Sequence, residues 1–142
     1  MKLVDANLLL YAVDEASPHH GFAKPWLERQ LSGTETFGLA WAVLLAFIRL
    51  ATNPRVFEAP LTLDDALDLV EGWLEQPPAT VVEPTDRHST LLRELLAPLG
   101  TAANLVSDAH LAALSVEHGA QLCSADSDFA RFQRVRWVNP LA

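Results

Sequence analysis

The sequence is poor in the features that mark several classes of protein. A single cysteine among 142 residues excludes an internal disulfide and is compatible with a reducing cytoplasm. Cys123 itself is predicted to be a small buried strand residue. No apolar run approaches the roughly 20 residues that span a bilayer, and Asp5 interrupts the apolar start that a secretory signal would need. These absences predict a cytoplasmic protein without a membrane partner.

Cationic residues are also scarce. The net charge of −8 argues against a protein that holds nucleic acid by general electrostatic attraction. Most of the cationic residues are arginines, and Arg49 and Arg55 flank one predicted helix end. Both are candidates for bidentate contacts with RNA phosphates, and a structural salt bridge is the alternative for Arg49. The acidic charge also suits a basic protein partner.

The pattern of apolar residues predicts one α/β domain over residues 1–142. Short β-branched or apolar runs alternate with helical stretches that carry an apolar face. This alternation favours layers of helices on a mostly parallel central sheet. The predicted strands are 2–4, 36–38, 80–82, 121–123 and 135–138. The predicted helices with both ends assigned are 7–13, 40–52, 86–96 and 103–118, and Thr85 is the predicted cap of the third of these. Two further helices are predicted from their caps. One is capped by Ser17 with Pro18 at its first position, and the other by Thr62 in a capping box with Asp65.

Four acidic residues fall where strands end or helices begin. Asp5 follows the first predicted strand, Asp126 and Asp128 follow the fourth, and Asp108 opens a helical stretch. Ligands of open parallel sheets bind beyond the carboxyl ends of the strands, so these side chains are expected to meet there. Gathered carboxylates repel one another unless a cation joins them, and oxygen ligands suit Mg²⁺ or Mn²⁺. The set therefore predicts metal-dependent chemistry.

Each of these signals has an ordinary structural alternative. Asp5 is a suitable N-cap for the helix that follows it. Asp108 is a polar residue that could lie on an outer helix face, although Asn104 and Asp108 are four residues apart and share a face. Asp126 and Asp128 suit a turn. The histidines show no metal-ligand spacing, and His110 is interpreted as a polar neighbour of Asp108 rather than a base.

Several segments of the chain resemble PIN-domain proteins. They are DANLLLY at 5–11, DAHLAA at 108–113, HGA at 118–120 and SADSDF at 124–129. Three further segments resemble the bacterial subgroup of VapC toxins, which belong to toxin–antitoxin pairs: FIR at 47–49, TNPRVF at 52–57 and WVNPL at 137–141. The resemblance runs from near Met1 to Ala142.

The resemblance implies a three-layer PIN-like fold and an endoribonuclease that uses Mg²⁺, for which Mn²⁺ can substitute. It implies that Asp5, Asp108 and Asp126 are catalytic carboxylates of the metal site and that Asp128 is a fourth acid there or supports the other three. Asn7 would lie beside Asp5. Ser124 would shape the site through its hydroxyl. The products would carry a 5′-phosphate and a 3′-hydroxyl.

One position departs from the family pattern. PIN nucleases usually place a Glu in the helix at 40–52, two residues before the position of Ile48, and this chain has Ala46 there. No Asp or Glu occurs between Thr36 and Val56, so a small shift of register does not supply one. Asn104 is a candidate to contribute an amide oxygen, and Mg²⁺ normally retains several waters. The departure puts a second metal ion in doubt.

The resemblance also implies a homodimer and a small VapB-like antitoxin as partner. Four aromatic residues are candidates for these contacts, and ordinary core is the alternative for at least two: Trp26, Trp41, Phe47 and Phe57.

Two other functions compete with the nuclease. A phosphotransfer domain with Asp5 as acceptor is disfavoured, because such sites enlist a lysine and only Lys2 and Lys24 are present. A PIN-like module that binds RNA or an antitoxin, with chemistry impaired by Ala46, is the other alternative.

Overall fold

The computed structural model describes residues 1–142 and contains one five-stranded sheet. Its strands lie in the order β3-β2-β1-β4-β5, and every neighbouring pair is parallel. The fold prediction is confirmed, with a sheet that is parallel throughout. The strands are β1 (Lys2–Val4), β2 (Phe37–Leu39), β3 (Ala79–Val81), β4 (Gln121–Cys123) and β5 (Trp137–Val138).

Six α-helices connect and flank the strands, as parallel strands require a crossover between them. The first four helices form a connected group through contacts of α1 with α2 and α3, and of α3 with α4, whereas α5 packs against α6. None is long and apolar enough to cross a membrane. The helices are α1 (Ala6–Val13), α2 (His20–Ser32), α3 (Trp41–Ala51), α4 (Leu63–Leu74), α5 (His88–Leu96) and α6 (Val106–Glu117).

The central strands are buried on both faces of the sheet. Leu3 and Val4 are consecutive in β1 and therefore point to opposite faces, yet both are fully inaccessible to solvent. Leu122 and Cys123 repeat this pattern in β4. The sheet is accordingly the middle layer of the domain, and its strands read as continuous apolar runs for that reason.

Three of the four aromatic contact candidates belong to the core. Trp26, Phe47 and Phe57 are buried, and Phe47 packs edge-on against Trp73 with ring centroids 4.8 Å apart. Trp41 alone is exposed, at 45% of its surface. The ordinary-core alternative therefore holds for the first three.

Two predicted helix caps are wrong, and the hydrogen bonds explain why. Helix α2 begins at His20, because the Ser17 hydroxyl accepts from the backbone N–H of His19 in a turn before the helix. Helix α5 begins at His88, because the Thr85 hydroxyl accepts from the N–H of Arg87 in a turn before the helix, while it donates to Glu117 of α6. Thr62 does cap α4, by accepting from the N–H of Asp65.

The remaining boundaries differ by small shifts. Strands β2 and β3 lie one residue later and one residue earlier than predicted, and β5 is shorter. The predicted helix 103–118 begins as a 3₁₀ turn at Ala103–Leu105, and α6 proper starts at Val106. It ends before Gly119, whose φ of +61° is the left-handed conformation that glycine adopts readily at helix ends. Asp108 therefore lies in the first turn of α6.

Candidate active site

The site begins at the junction of β1 and β4. The strand order reverses direction beside β1, because β2 and β3 lie on one side of it and β4 and β5 on the other. Such a switch point leaves a crevice at the carboxyl ends of the strands. Val4 pairs with Cys123, so Asp5 and Ser124 are the next residues of two adjacent strands.

Ser124 is the hydrogen-bonding centre of this crevice. Its hydroxyl is fully buried, donates to Oδ2 of Asp5 over 2.7 Å, and accepts from Nδ2 of Asn7 at 3.1 Å and from the N–H of Asp126 at 3.0 Å. Asn7 in turn accepts from the N–H of Ala125. These bonds hold the start of α1 against the loop after β4. The structure thus brings together Asp5, Asn7, Ser124 and Asp126, as the sequence predicts.

Asp108, Asp126 and Asp128 form a carboxylate cluster in front of this network. One oxygen from each lies within 4.8 Å of the others. Asp126 also accepts from the N–H of Asp128 at 2.9 Å, and Asp5 accepts from the N–H of Ala6 at 2.7 Å. The structural capping roles are therefore real. Each cap uses Oδ1 of its residue, and Oδ2 of Asp5 accepts from Ser124.

The carboxylates are electrostatically strained without a counterion. Burial raises the pKa of Asp5 above its usual range, although hydrogen bonds from Ser124 and Ala6 oppose the rise, and the charge of Asp126 adds to it. Burial, followed by the charges of Asp126, Asp5 and Asp128, raises the pKa of Asp108 to about 6. No arginine, lysine or histidine forms an ion pair with any of the four.

The donor set fits a hard divalent cation. Carboxylate oxygens are the ligands that Mg²⁺ and Mn²⁺ prefer, and a cation relieves the repulsion that raises the Asp108 pKa. Asp108 and Asp126 are half-buried and Asp128 is exposed, so the cluster opens to solvent on one side. A cation bound there would keep open positions for water or substrate.

A cavity of about 540 Å³ extends from Asp5 and Asp108 between two helical walls. Ala46 lines the α3 wall, so the missing Glu of the family pattern maps to this cavity. Arg49 lines the same wall and forms no ion pair, so the salt-bridge alternative for it is not borne out. The full lining is Asp5, Ala6, Ala42, Val43, Ala46, Arg49, His88, Leu92, Val106, Ser107, Asp108, His110 and Leu111.

Two predicted residues lie apart from this cavity. Asn104 is exposed in the 3₁₀ turn before α6, so it does not share a helix face with Asp108 and forms no side-chain hydrogen bond with the carboxylates. Arg55 is exposed beyond the end of α3, where its N–H donates to Asn53. Neither lines the cavity.

The pairing of two histidines on the second wall was missed by sequence reasoning, which interpreted His110 only as a polar neighbour of Asp108. His88 and His110 line the cavity, and a hydrogen bond joins Nε2 of His88 to Nδ1 of His110 at 2.8 Å. His110 and Glu117 are seven residues apart in α6, a spacing that places both on one helix face. That spacing was available from the sequence, whereas the approach of His88 depends on the packing of α5 against α6.

Comparisons with known proteins cover essentially the whole chain. Residues 2–135 match the family profile described as PIN domain. The chain is 53% identical to Ribonuclease VapC37 of Mycobacterium tuberculosis, over all of this chain and 99% of that protein. It is 41% identical to Ribonuclease VapC33 of the same species, over 99% of each.

Solved structures share the fold at low sequence identity. VapBC2 from Rickettsia felis, bound to a DNA fragment from its promoter, superposes with a TM-score of 0.72 at 15% identity over 97% of each chain. DNA-bound VapBC from Salmonella typhimurium gives a TM-score of 0.68 at 17% identity, over 99% of this chain and 98% of that one.

Proposed function

The chain belongs to the PIN-domain family and, within it, to the VapC group, and on this premise we propose that it is a Mg²⁺-dependent endoribonuclease toxin. The observation that carries the proposal is the convergence of Asp5 with Asp108, Asp126 and Asp128 at the switch point of the sheet. Mn²⁺ is expected to substitute for Mg²⁺, because both accept oxygen ligands.

In this proposal Asp5, Asp108 and Asp126 are the catalytic carboxylates that hold the cation, and Asp128 is a fourth ligand at the open side. When bound, the cation supplies the positive charge and the water activation that phosphodiester hydrolysis requires. Ser124 orients Asp5 through the 2.7 Å bond to Oδ2, and Asn7 fixes the Ser124 hydroxyl. This arrangement holds the carboxylates in place before substrate arrives.

The cavity provides a place for the RNA strand beside the carboxylates. Arg49 on the α3 wall is the candidate to bind a substrate phosphate, because it lines the cavity without a carboxylate partner. Its guanidinium can donate two parallel hydrogen bonds to phosphate oxygens. Ala46 leaves apolar space where the family pattern has a carboxylate, so we propose one firmly held cation.

We further propose a VapB-like antitoxin and a second copy of the chain as protein partners. Two solved structures that share this fold are VapBC complexes. A net charge of −8 and an open carboxylate cluster favour a basic antitoxin segment at the cavity. Trp41 and Leu45, exposed on α3, are apolar candidates for these contacts. Light scattering of the purified protein at micromolar concentration tests the dimer, and a strictly monomeric mass would contradict it.

The nuclease is tested by incubating total bacterial RNA with purified, antitoxin-free protein in Mg²⁺, Mn²⁺ or EDTA. We expect discrete cuts that require metal and disappear in Asp5→Ala. Asp68→Asn is the matched control, because it removes an exposed carboxylate of α4 away from the cavity and should cut normally. A folded wild-type protein that cuts no RNA in either metal would overturn the proposal and favour a binding role.

A further inference from the structure

A chain of hydrogen bonds runs from the protein interior to the cavity wall. It starts at the side chain of Glu117, which is fully buried, and passes through His88 to His110. Nδ1 of His88 lies 2.7 Å from Oε2 of Glu117, and Nε2 of His88 lies 2.8 Å from Nδ1 of His110. The other Glu117 oxygen accepts from both the hydroxyl and the N–H of Thr85. Both oxygens of the Glu117 carboxylate are therefore held by hydrogen bonds.

When both histidine rings are neutral, the carboxylate determines the direction of the hydrogen bonds. An ionised carboxylate only accepts, so Nδ1 of His88 must carry the proton that faces Glu117. With His88 neutral, its Nε2 is then an acceptor, and the proton between the two rings belongs to Nδ1 of His110. The remaining nitrogen of a neutral His110, Nε2, consequently carries a lone pair and no proton.

The two rings line the same cavity as the proposed phosphate-binding arginine. His88 and His110 come from α5 and α6, whereas Arg49 comes from α3, and all three line the cavity that contains Asp5 and Asp108. The bonds to Glu117 and Thr85 make this wall rigid, which a precise substrate contact requires. The hydrolysis proposed above uses neither histidine.

We propose that Nε2 of His110 accepts a hydrogen bond from a ribose 2′-hydroxyl of the RNA strand, with His88 and Glu117 as positioning residues. This inference rests on the proposed function, because it assigns the same cavity to RNA. A phosphate oxygen cannot be the partner of a bare lone pair, since both groups only accept. Base donors differ from one nucleotide to the next, whereas every ribonucleotide carries a 2′-hydroxyl that deoxyribonucleotides lack. The contact therefore selects RNA over DNA without reading sequence.

The test measures binding rather than cleavage. A fluorescently labelled single-stranded RNA of mixed sequence and a DNA of the same sequence are titrated with the protein in EDTA at low ionic strength. We expect wild-type protein to prefer RNA. We expect His110→Ala to lose about fivefold in RNA affinity, the value of one hydrogen bond, with DNA affinity unchanged. His118→Ala is the matched control, because it removes an imidazole at the other end of α6 that bonds to Glu83 outside the cavity.

The outcomes separate this inference from the proposed function. Equal losses on RNA and DNA would indicate a phosphate contact and overturn the 2′-hydroxyl assignment, as would unchanged RNA affinity or a wild-type protein without RNA preference. If RNA is selected through His110 but never cut in the metal assay, the inference stands and the nuclease fails.

A spectroscopic measurement avoids reliance on a variant that fails to fold. Imidazole ¹⁵N resonances of the wild-type protein report which ring nitrogens carry protons. We expect a protonated Nδ1 on both His88 and His110, and a shift of the His110 Nε2 resonance when RNA is added but not when DNA is added. Glu117→Gln should disturb this proton order and reduce the RNA preference. An Nε2 resonance that RNA leaves unmoved would overturn the proposal.

Discussion

The Ser124 hydroxyl bonds to Oδ2 of Asp5 at 2.7 Å, and this contact joins the first residues beyond two adjacent parallel strands. The Ser124 hydroxyl oxygen also accepts from Nδ2 of Asn7 and from the N–H of Asp126. One buried atom therefore couples the end of β1, the start of α1 and the loop after β4. The position of Asp5 and the position of Asp126 depend on each other through it.

Ser124→Ala is predicted to weaken cation binding as well as folding. The change leaves Asn7 and the N–H of Asp126 without their acceptor, which costs about 1–3 kcal/mol in a buried site. Asp5 also loses a hydrogen bond that favours its charged form, so its pKa should rise further. Calorimetric titration with Mn²⁺ measures the affinity, and urea denaturation measures the stability.

Ser115→Ala is the matched control for this experiment. Ser115 is equally buried, and its hydroxyl donates to the backbone carbonyl of Ala112 within α6, away from the carboxylates. It should alter stability and leave Mn²⁺ affinity unchanged. Equal Mn²⁺ affinities in the two variants would contradict the role assigned to Ser124.

Asp108 is predicted to make the metal-free protein less stable as the pH rises. Its pKa of about 6 in the folded protein lies above the ordinary aspartate value of 3.8, so between these pH values the folded state binds more protons than the unfolded chain. Stability must then fall through this window and stay low above it. Because solvent reaches this half-buried carboxyl, we expect an effect of about 1 kcal/mol.

The pH dependence is measured by urea denaturation in EDTA on both sides of this window. Asp108→Asn should remove most of the decline and be more stable than wild type at neutral pH, whereas Asp68→Asn in α4 should behave as wild type. Mg²⁺ should reverse the decline, because a cation favours the ionised carboxylates. Parallel slopes for wild type and Asp108→Asn would show that the coupling is absent.

The sequence was sufficient to predict the parts of the site that follow strands. Asp5 comes directly after an apolar run and Asp126 three residues after another, and parallel strands bring their carboxyl ends together by geometry alone. Asn104 failed as a helix-face partner of Asp108 because the chain forms a 3₁₀ turn there. Spacing arguments hold only within one continuous helix.

Tertiary hydrogen bonds were the part that local patterns could not supply. Thr85 has the chemistry of an N-cap, but in the folded chain its hydroxyl donates to Glu117 of a distant helix. The choice of Glu117 as the partner of Thr85 depends on how α6 lies against the start of α5. The same packing creates the His88–His110 pair, so the Thr85–Glu117 bond and the histidine pair have one physical origin.

Ala46→Glu is predicted to tighten cation binding. Ala46 lines the cavity from α3, a helix without any acidic residue, so a carboxylate there adds an oxygen ligand. We expect Mn²⁺ affinity to rise by about tenfold, the scale at which supporting contacts act in metal sites. Without metal the same variant should be less stable, because a further negative charge joins the cluster.

Calorimetric titration of Ala46→Glu is compared with Ala46→Gln. The glutamine has nearly the same size and no charge, so it controls for filling the cavity. Similar Mn²⁺ affinities in the two variants would mean that position 46 does not reach the bound cation.

Arg49→Ala is predicted to weaken RNA binding more than Arg55→Ala. Both arginines are exposed, but only Arg49 lines the cavity. Loss of one phosphate contact should lower the slope of log affinity against log salt by about 0.7 for a single strand. Anisotropy titrations at several salt concentrations measure this slope. Equal slopes for the two variants would contradict the proposal that the RNA strand binds along α3.

Gly38→Ala and Gly72→Ala are predicted to change stability in opposite directions. A Cβ at Gly38 would lie 2.8 Å from Cγ2 of Val82 and 3.2 Å from Cδ1 of Leu3. An added methyl group is therefore too close to these two side chains, which must shift to accommodate it. We expect a loss of about 1–3 kcal/mol.

Gly72 lies inside α4, where a Cβ would meet nothing within 4 Å, so alanine there should gain about 0.5–1 kcal/mol from its helix propensity. Urea denaturation of both variants at one pH gives the two values. Because the same substitution is made in both, its intrinsic effect on the unfolded chain is shared, and the difference reports the packing around β2. A Gly38→Ala protein as stable as Gly72→Ala would mean that β2 can move away from Val82. Helix α3, which follows β2 and lines the cavity, would then move with it.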